Sequence, residues 1–139
     1  MKTVTAKARF LRISPRKLRL STDLIVGKVY GEAHKILQTL PKKGADLALT
    51  LLESARANAV NNNKLEKQSL VVKSFVVNQG PQLKRHRPRS RGRAEMIRKP
   101  TSHATVILQG IEKLRPQTTK DTTKDKKQTV NKKDKPKTK

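Results

Sequence analysis

The chain of 139 residues has no cysteine and no tryptophan, and its aromatic residues are limited to Phe10, Tyr30 and Phe75. Without cysteine there are no disulfide bonds and no thiolate metal sites. Proteins that bind single-stranded nucleic acid by stacking need aromatic platforms, so this composition favours backbone and shape contacts. No apolar run is long enough for a transmembrane helix, and the start, MKTVTAKARF, lacks the apolar core of a signal peptide. We therefore expect a cytoplasmic protein with no membrane partner.

Acidic residues are also scarce: ten Asp and Glu stand against 34 Lys and Arg, which gives a net charge of +24. Repulsion of this size destabilises a compact free chain, and a polyanion, most often nucleic acid, relieves it. The densest stretch is LKRHRPRSRGRAEMIRKP, residues 83–100, with eight Lys and Arg and a single Glu. Such a run is either a solvated arm or a segment that lies against a polyanion.

The first part of the chain predicts a strand followed by a helix. Residues 3–11 mix β-branched, basic and apolar side chains in rough alternation, which indicates a short strand. Ser14 is a good N-cap residue, Pro15 suits the first helical position, and Gly27 suits the helix exit. The first turn of this helix carries cations that form either a solvated face or, as we favour in so basic a chain, phosphate contacts: Arg16, Lys17 and Arg19.

Two more helices are predicted, at 31–40 and at about 42–61. The second has a broad apolar stripe at helical spacing, and its small alanines permit close packing, so it is the expected core helix. The stripe consists of Leu47, Ala48, Leu51, Leu52, Ala55 and Ala59.

The basic run lies between two segments rich in β-branched residues, 69–79 and 101–111, which read as strands. Two strands joined by a segment with Gly92 near its centre predict a long hairpin. Each arm of about 11 residues, at about 3.3 Å per residue, reaches about 36 Å from the domain. A two-stranded ribbon is only marginally stable in water, so it needs a partner along its length.

The last part of the chain, residues 116–139, holds a single strongly apolar residue, Val130, among Lys, Thr, Asp and Gln. Such a segment cannot bury enough apolar surface to fold alone. We therefore predict one domain over residues 1–115 and a disordered basic tail at 116–139.

Three histidines raise the possibility of acid–base catalysis on RNA. In the predicted hairpin, His86 and His103 are about eight positions apart, or about 26 Å, and His34 is on a separate helix. There is also no phosphate-cradling glycine loop and no cluster of carboxylates. We therefore expect no catalytic residue, no metal site, no cofactor and no enzymatic activity. His103 is expected to pack or to form a hydrogen bond near the hairpin base.

Four stretches occur in one order and carry a resemblance: RISPRKLRL, SARANAVNN, QGPQLKRHRPRSRGRA and IRKPTSHATVIL. Over about residues 2–113 the chain resembles the family of the universal large-subunit ribosomal protein number twenty-two, in its bacterial form. Pro100 stands where the family pattern has a basic residue. The resemblance implies an α+β fold of three helices packed on a small antiparallel sheet, with a long extended β-hairpin at about 79–102.

The resemblance also implies a function and its partners. Proteins of this family are structural constituents of the large ribosomal subunit, bind its rRNA and support its assembly. Their hairpin tip lines the exit tunnel near the macrolide site, where it meets the nascent peptide. Partners are then large-subunit rRNA, neighbouring large-subunit proteins and the nascent peptide, with no homo-oligomer. The location is a cytoplasmic ribosome, and an organellar ribosome stays open.

Two sets of candidate residues follow. The rRNA-binding set is Arg9, Arg12, Arg16, Lys17, Arg19, Lys84, Arg85, Arg87, Arg89, Arg91, Arg93, Arg98 and Lys99. The tunnel-lining tip is Leu83, Lys84, Arg85, His86, Arg87, Pro88, Arg89, Ser90, Arg91, Gly92, Arg93 and Ala94. The alternative is a free architectural DNA-binding protein that lays a basic β-ribbon in a groove; such ribbons usually carry an apolar wedge at the crown, for which Pro88 is the candidate.

Overall fold

Three α-helices and five strands make up most of residues 1–111, the part of the chain that this computed structural model describes. The elements are β1 (Lys2–Leu11), α1 (Pro15–Thr22), α2 (Tyr30–Thr39), α3 (Lys43–Ala57), β2 (Val71–Gln79), β3 (Leu83–Pro88), β4 (Ala94–Lys99) and β5 (Ser102–Gly110). A π-helical turn, Asn58–Asn62, continues α3. The predicted α+β class, with three helices, a small antiparallel sheet and a hairpin, is confirmed. The predicted tail at 116–139 lies outside the described residues.

A three-stranded antiparallel sheet in the order β1-β5-β2 forms the base of the domain. Its central strand, β5, alternates between buried and half-buried residues along its whole length. Because successive side chains of a strand point to opposite faces, one face of the sheet is covered and the other is open. The buried positions of β5 are Ser102, Ala104, Val106, Leu108 and Gly110.

Helix α3 covers the inner face of the sheet and also contacts α1 and α2. Its predicted apolar stripe is the helical side of the core, with Ala48, Leu51, Leu52 and Ala55 buried and Leu47 half-buried. Gly44 lets α3 approach α1 closely: a Cβ atom at this position would lie 3.1 Å from the Ser21 side-chain oxygen. Small residues therefore set the spacing between these helices.

The predicted end of α1 at Gly27 is wrong, because the helix ends at Thr22. Residues 27–30 instead bond to the outer edge of β2, where the Gly27 amide donates to the Val72 carbonyl at 2.8 Å and the Tyr30 amide donates to the Leu70 carbonyl at 2.8 Å. Gly27 has a φ of +81°, a conformation that glycine adopts without strain. These sheet-edge hydrogen bonds replace the last predicted turns of the helix. The start of α1 is as predicted, with Ser14 as N-cap and Pro15 as first residue.

Within residues 1–111, no helix is both long and apolar enough to cross a membrane.

Leucine-to-alanine substitutions in two helices test where the core lies. Leu52 is fully buried in α3, whereas Leu20 in α1 is 58% exposed. We expect Leu52→Ala to lower the free energy of unfolding by about 2–5 kcal/mol, because it leaves a cavity. Leu20→Ala should change the same quantity by no more than about 0.5 kcal/mol. Urea unfolding followed by circular dichroism measures both, and equal losses would contradict this assignment of the core.

Candidate nucleic-acid interface

Strands β3 and β4 form a two-stranded ribbon whose side chains are exposed everywhere except at Leu83, which is half-buried. Residues that pair directly across an antiparallel ladder point to the same face. One face, called the Arg face here, therefore holds the pairs Leu83 with Lys99, Arg85 with Ile97, and Arg87 with Glu95. The other, called the Met face here, holds Lys84 with Arg98, His86 with Met96, and Pro88 with Ala94.

The two faces differ in charge toward the crown of the hairpin. On the Arg face, the two outer pairs contain the arginines Arg85 and Arg87 and one acid, Glu95, which is bonded to Arg89. On the Met face, the two outer pairs contain no Lys, Arg, Asp or Glu. Near the tip, the Arg face therefore carries charged side chains and the Met face carries none, although each face has a net charge of +2 over its three pairs.

The crown is held together by one ion pair and one backbone hydrogen bond. The Arg89 guanidinium donates to the Glu95 carboxylate from Nη2 at 2.6 Å and from Nε at 2.9 Å. The Arg89 amide donates to the Arg93 carbonyl at 2.7 Å, which closes the turn over Ser90–Gly92. Two of the five guanidinium donors of Arg89 are thus used within the hairpin, and the others remain for an anion.

The base of the ribbon is fixed to the domain by buried hydroxyl groups. Thr101, 3% exposed, donates from Oγ1 to the Pro81 carbonyl at 2.6 Å, and Ser102, fully buried, donates from Oγ to the Ile13 carbonyl at 3.0 Å. The Gly80 amide donates to the Thr101 carbonyl at 2.9 Å. A side chain at Gly80 would clash, because its Cβ atom would lie 2.5 Å from Thr101 Oγ1. These contacts set the direction in which the ribbon leaves the sheet.

A second cationic surface adjoins this base. Residues 1–22 contain seven Lys and Arg and no Asp or Glu. Strand β1 reaches the hairpin end of the sheet, where Leu11 pairs with Ser102. The candidate residues of this segment are all exposed: Arg9, Arg12, Arg16, Lys17 and Arg19. The candidate rRNA-binding residues of β1 and α1 therefore lie at the same end of the domain as those of the ribbon.

Arg19 has a structural contact that the sequence pattern did not indicate. Its guanidinium donates to the Val77 carbonyl of β2, at 2.8 Å from Nη2 and 3.3 Å from Nε. This hydrogen bond joins α1 to the outer edge of the sheet. Arg19 therefore holds the helix in place with part of its hydrogen-bonding capacity.

The three histidines lie on different elements. His34 in α2 is 3.2 Å from the Glu53 carboxylate, and His86 is on the ribbon. His103 in β5 accepts a hydrogen bond at Nδ1 from the Phe10 amide at 3.1 Å, which confirms the prediction that it bonds near the hairpin base. In residues 1–111, no three His, Asp or Glu side chains are grouped so that they could hold a metal ion.

Comparison with known proteins gives one consistent family. A family model described as ribosomal protein L22p/L17e matches residues 6–109. The large ribosomal subunit protein uL22 of Thermus thermophilus is 55% identical over 103 residues, which cover 74% of this chain and 91% of that protein. The proteins of the same description from Fusobacterium nucleatum and Caldicellulosiruptor saccharolyticus are 54% and 49% identical, over 74% and 81% of this chain and 93% and 92% of their own lengths.

The Arg19 contact leads to a prediction about two neighbouring arginines of α1. We expect Arg19→Ala to lower the free energy of unfolding by about 0.5–1.5 kcal/mol, because the Val77 carbonyl loses its donor. Arg16→Ala, also in α1, should change it by only a few tenths of a kcal/mol, since a cation at the helix N-terminus opposes the dipole. Urea unfolding of both variants measures the difference. Equal stability of the two would mean that the Arg19 hydrogen bond contributes nothing.

Proposed function

The chain belongs to the family of ribosomal protein L22p/L17e, and we propose that it is a structural component of the large ribosomal subunit that binds large-subunit rRNA. The family consists of structural proteins rather than enzymes. Its partners are then rRNA and neighbouring large-subunit proteins. Because the relatives named above are bacterial, the proposed location is the ribosome of a bacterial cytoplasm.

One observation carries the rRNA-binding proposal: exposed cations of residues 9–19 and of the ribbon lie at the hairpin end of the domain. Residues 1–22 and 83–100 together hold fifteen Lys and Arg and one Glu, and that Glu is paired with Arg89. Each cation that binds a phosphate releases condensed counterions, which drives association with a polyanion. RNA helices are recognised mainly through backbone and shape, which requires few aromatic side chains.

We also propose that the hairpin tip, residues 83–94, lines the peptide exit tunnel near the macrolide site and meets the nascent peptide there. The support is the difference between the two faces near the tip of the ribbon, where the Arg face carries charged side chains and the Met face carries none. With the Arg face against rRNA, the Met face, with His86, Met96 and Pro88 near its tip, is left for the tunnel lumen. A nearly neutral surface does not bind nascent chains through charge, so it suits a wall that peptides must pass.

The alternative, a free DNA-binding ribbon, finds no support in the family membership. Its candidate wedge, Pro88, pairs with Ala94 on the side of the ribbon, while the turn itself is Ser90–Gly92. An arginine at the centre of the turn suits phosphate contact better than insertion between base pairs.

The division into a domain of 1–115 and a tail stays a prediction, as do the individual rRNA contacts.

Cosedimentation and salt titration test the rRNA proposal. The tagged chain should cosediment with large ribosomal subunits at moderate salt. Arg16→Ala should lower the slope of log affinity for large-subunit rRNA against log salt by about 0.7–0.9, since one phosphate contact is lost. Lys35→Ala, an exposed cation on α2 away from the cationic surface, is the control and should leave the slope unchanged. Retention on DNA without cosedimentation would favour the alternative.

Deletion of residues 83–85 tests the role of the ribbon faces. The domain should stay folded and bind rRNA, because the deleted residues contribute little to the core and only two of many cations. Three is an odd number, so side chains from His86 to the turn should change face unless a bulge absorbs the shift. The crown is then turned over, and tunnel width and macrolide tolerance should change.

The control for this deletion removes two opposed pairs, residues 84–85 together with 97–98. The remaining pairs then keep their faces, and the ribbon is shortened by about 7 Å. Structures of large subunits that carry each variant, with a macrolide growth assay, give the comparison. If the crown of the 83–85 variant superimposed on the native one and the drug response were unchanged, the assignment of the faces would be wrong.

A further inference from the structure

Phe10, near the end of β1, has a backbone conformation that is unusual for its residue type. Its φ is +57°, a left-handed value that bulky side chains rarely adopt. The register of β1 against β5 shifts here, from Ala8 paired with Ala104 to Leu11 paired with Ser102, so the strand contains a bulge. Bulges re-aim side chains and are often found next to functional sites. In this chain the bulge directs a phenylalanine ring outward, with 60% of the residue exposed.

His103 supports this conformation from the neighbouring strand. Its Nδ1 accepts the hydrogen bond from the Phe10 amide at 3.1 Å, so the bulged backbone has a defined partner. The two rings meet edge to face, with 4.8 Å between centroids and an angle of 84° between planes. This contact fixes the position of the Phe10 ring and still leaves much of it open to solvent. The ring is therefore held in place and exposed at once.

The surroundings of the ring are cationic. Lys7, Arg9, Phe10 and His103 line a shallow cleft of about 330 Å³ between β1 and β5. Lys7 and Arg9 are exposed, and no acidic side chain lines this cleft in the part of the chain that the structure describes. A fixed aromatic surface beside two cations matches the two parts of a nucleotide, since a base stacks on an aromatic ring and its phosphates attract cations.

We propose that Phe10, with Lys7 and Arg9 beside it, binds one unpaired nucleotide of the rRNA, whose base stacks on the phenylalanine ring. The inference rests on the proposed rRNA binding and identifies one point of contact within it. Tyr30 and Phe75 are buried, so Phe10 is the exposed one of the three Phe and Tyr residues, all of which lie within residues 1–111. A single apolar residue on a surface needs no explanation by itself. Phe10 differs because a strained backbone and a dedicated hydrogen bond place it there.

The test uses substitutions that separate the ring from the backbone. Asparagine adopts the left-handed conformation more readily than phenylalanine, so Phe10→Asn removes the ring without harm to the bulge. We expect its melting temperature to be equal to or above that of the native chain. Its affinity for large-subunit rRNA should fall by about 5- to 150-fold, the range typical of one lost base stack. Phe10→Tyr retains the ring and should bind within about twofold of the native chain.

Salt dependence distinguishes stacking from phosphate binding. Phe10→Asn should leave the slope of log affinity against log salt unchanged, whereas Arg9→Ala should lower it by about 0.7–0.9. Native affinity of Phe10→Asn for rRNA would overturn this inference while leaving the proposed function intact. If Phe10→Asn bound rRNA with native affinity but a neighbouring protein were lost from reconstituted subunits, Phe10 would be assigned to a protein contact instead. If the native chain itself did not bind rRNA, the proposed function would fail first.

Discussion

The hydrogen bonds at the base of the hairpin fix the direction in which it leaves the domain, and the proposed interface depends on that direction. Within residues 1–111, no helix or further strand packs closely on the ribbon, so its orientation is decided where it joins the sheet. Thr101 and Ser102 are buried there and donate to the carbonyls of Pro81 and Ile13. A buried hydroxyl group that is left without a hydrogen-bond partner destabilises the folded state. A few buried hydrogen bonds thus set the orientation of a long, exposed hairpin.

The distribution of charge follows from the same arrangement. The acids of the described helical body, Asp23, Glu32, Asp46, Glu53 and Glu66, all lie between residues 23 and 82, where they offset much of the local positive charge. Residues 1–22 and 83–100 hold fifteen Lys and Arg against a single Glu. The core forms on the inner side of the sheet and takes Val4, Ala6 and Leu18 from the first of these segments, whose charged side chains are exposed. The same segment therefore supplies apolar side chains to the core and cations to the proposed interface.

Much of this fold could be predicted because its signals are local. Ser14 and Pro15 mark a helix start, the apolar stripe of α3 has helical spacing, and the hairpin follows from two β-rich segments around a glycine. What could not be predicted depends on contacts between distant residues. Arg19 bonds to a carbonyl 58 residues away, and the amide of Phe10 bonds to a histidine 93 residues away. The early end of α1 has the same origin, since hydrogen bonds to β2 decide it.

Residues 27–30 bond to the outer edge of β2, and this affects how readily the free protein could aggregate before it binds its partners. An open sheet edge offers unpaired amides and carbonyls to any other chain, and so acts as a template for aggregation. Here the carbonyls of Leu70, Val72 and Val77 are already occupied, the last by Arg19. At the opposite edge, β1 carries exposed lysines and the Phe10 bulge, and charges and bulges discourage strand addition. Both edges of the sheet therefore carry features that disfavour pairing between copies of the chain before the protein meets its partners.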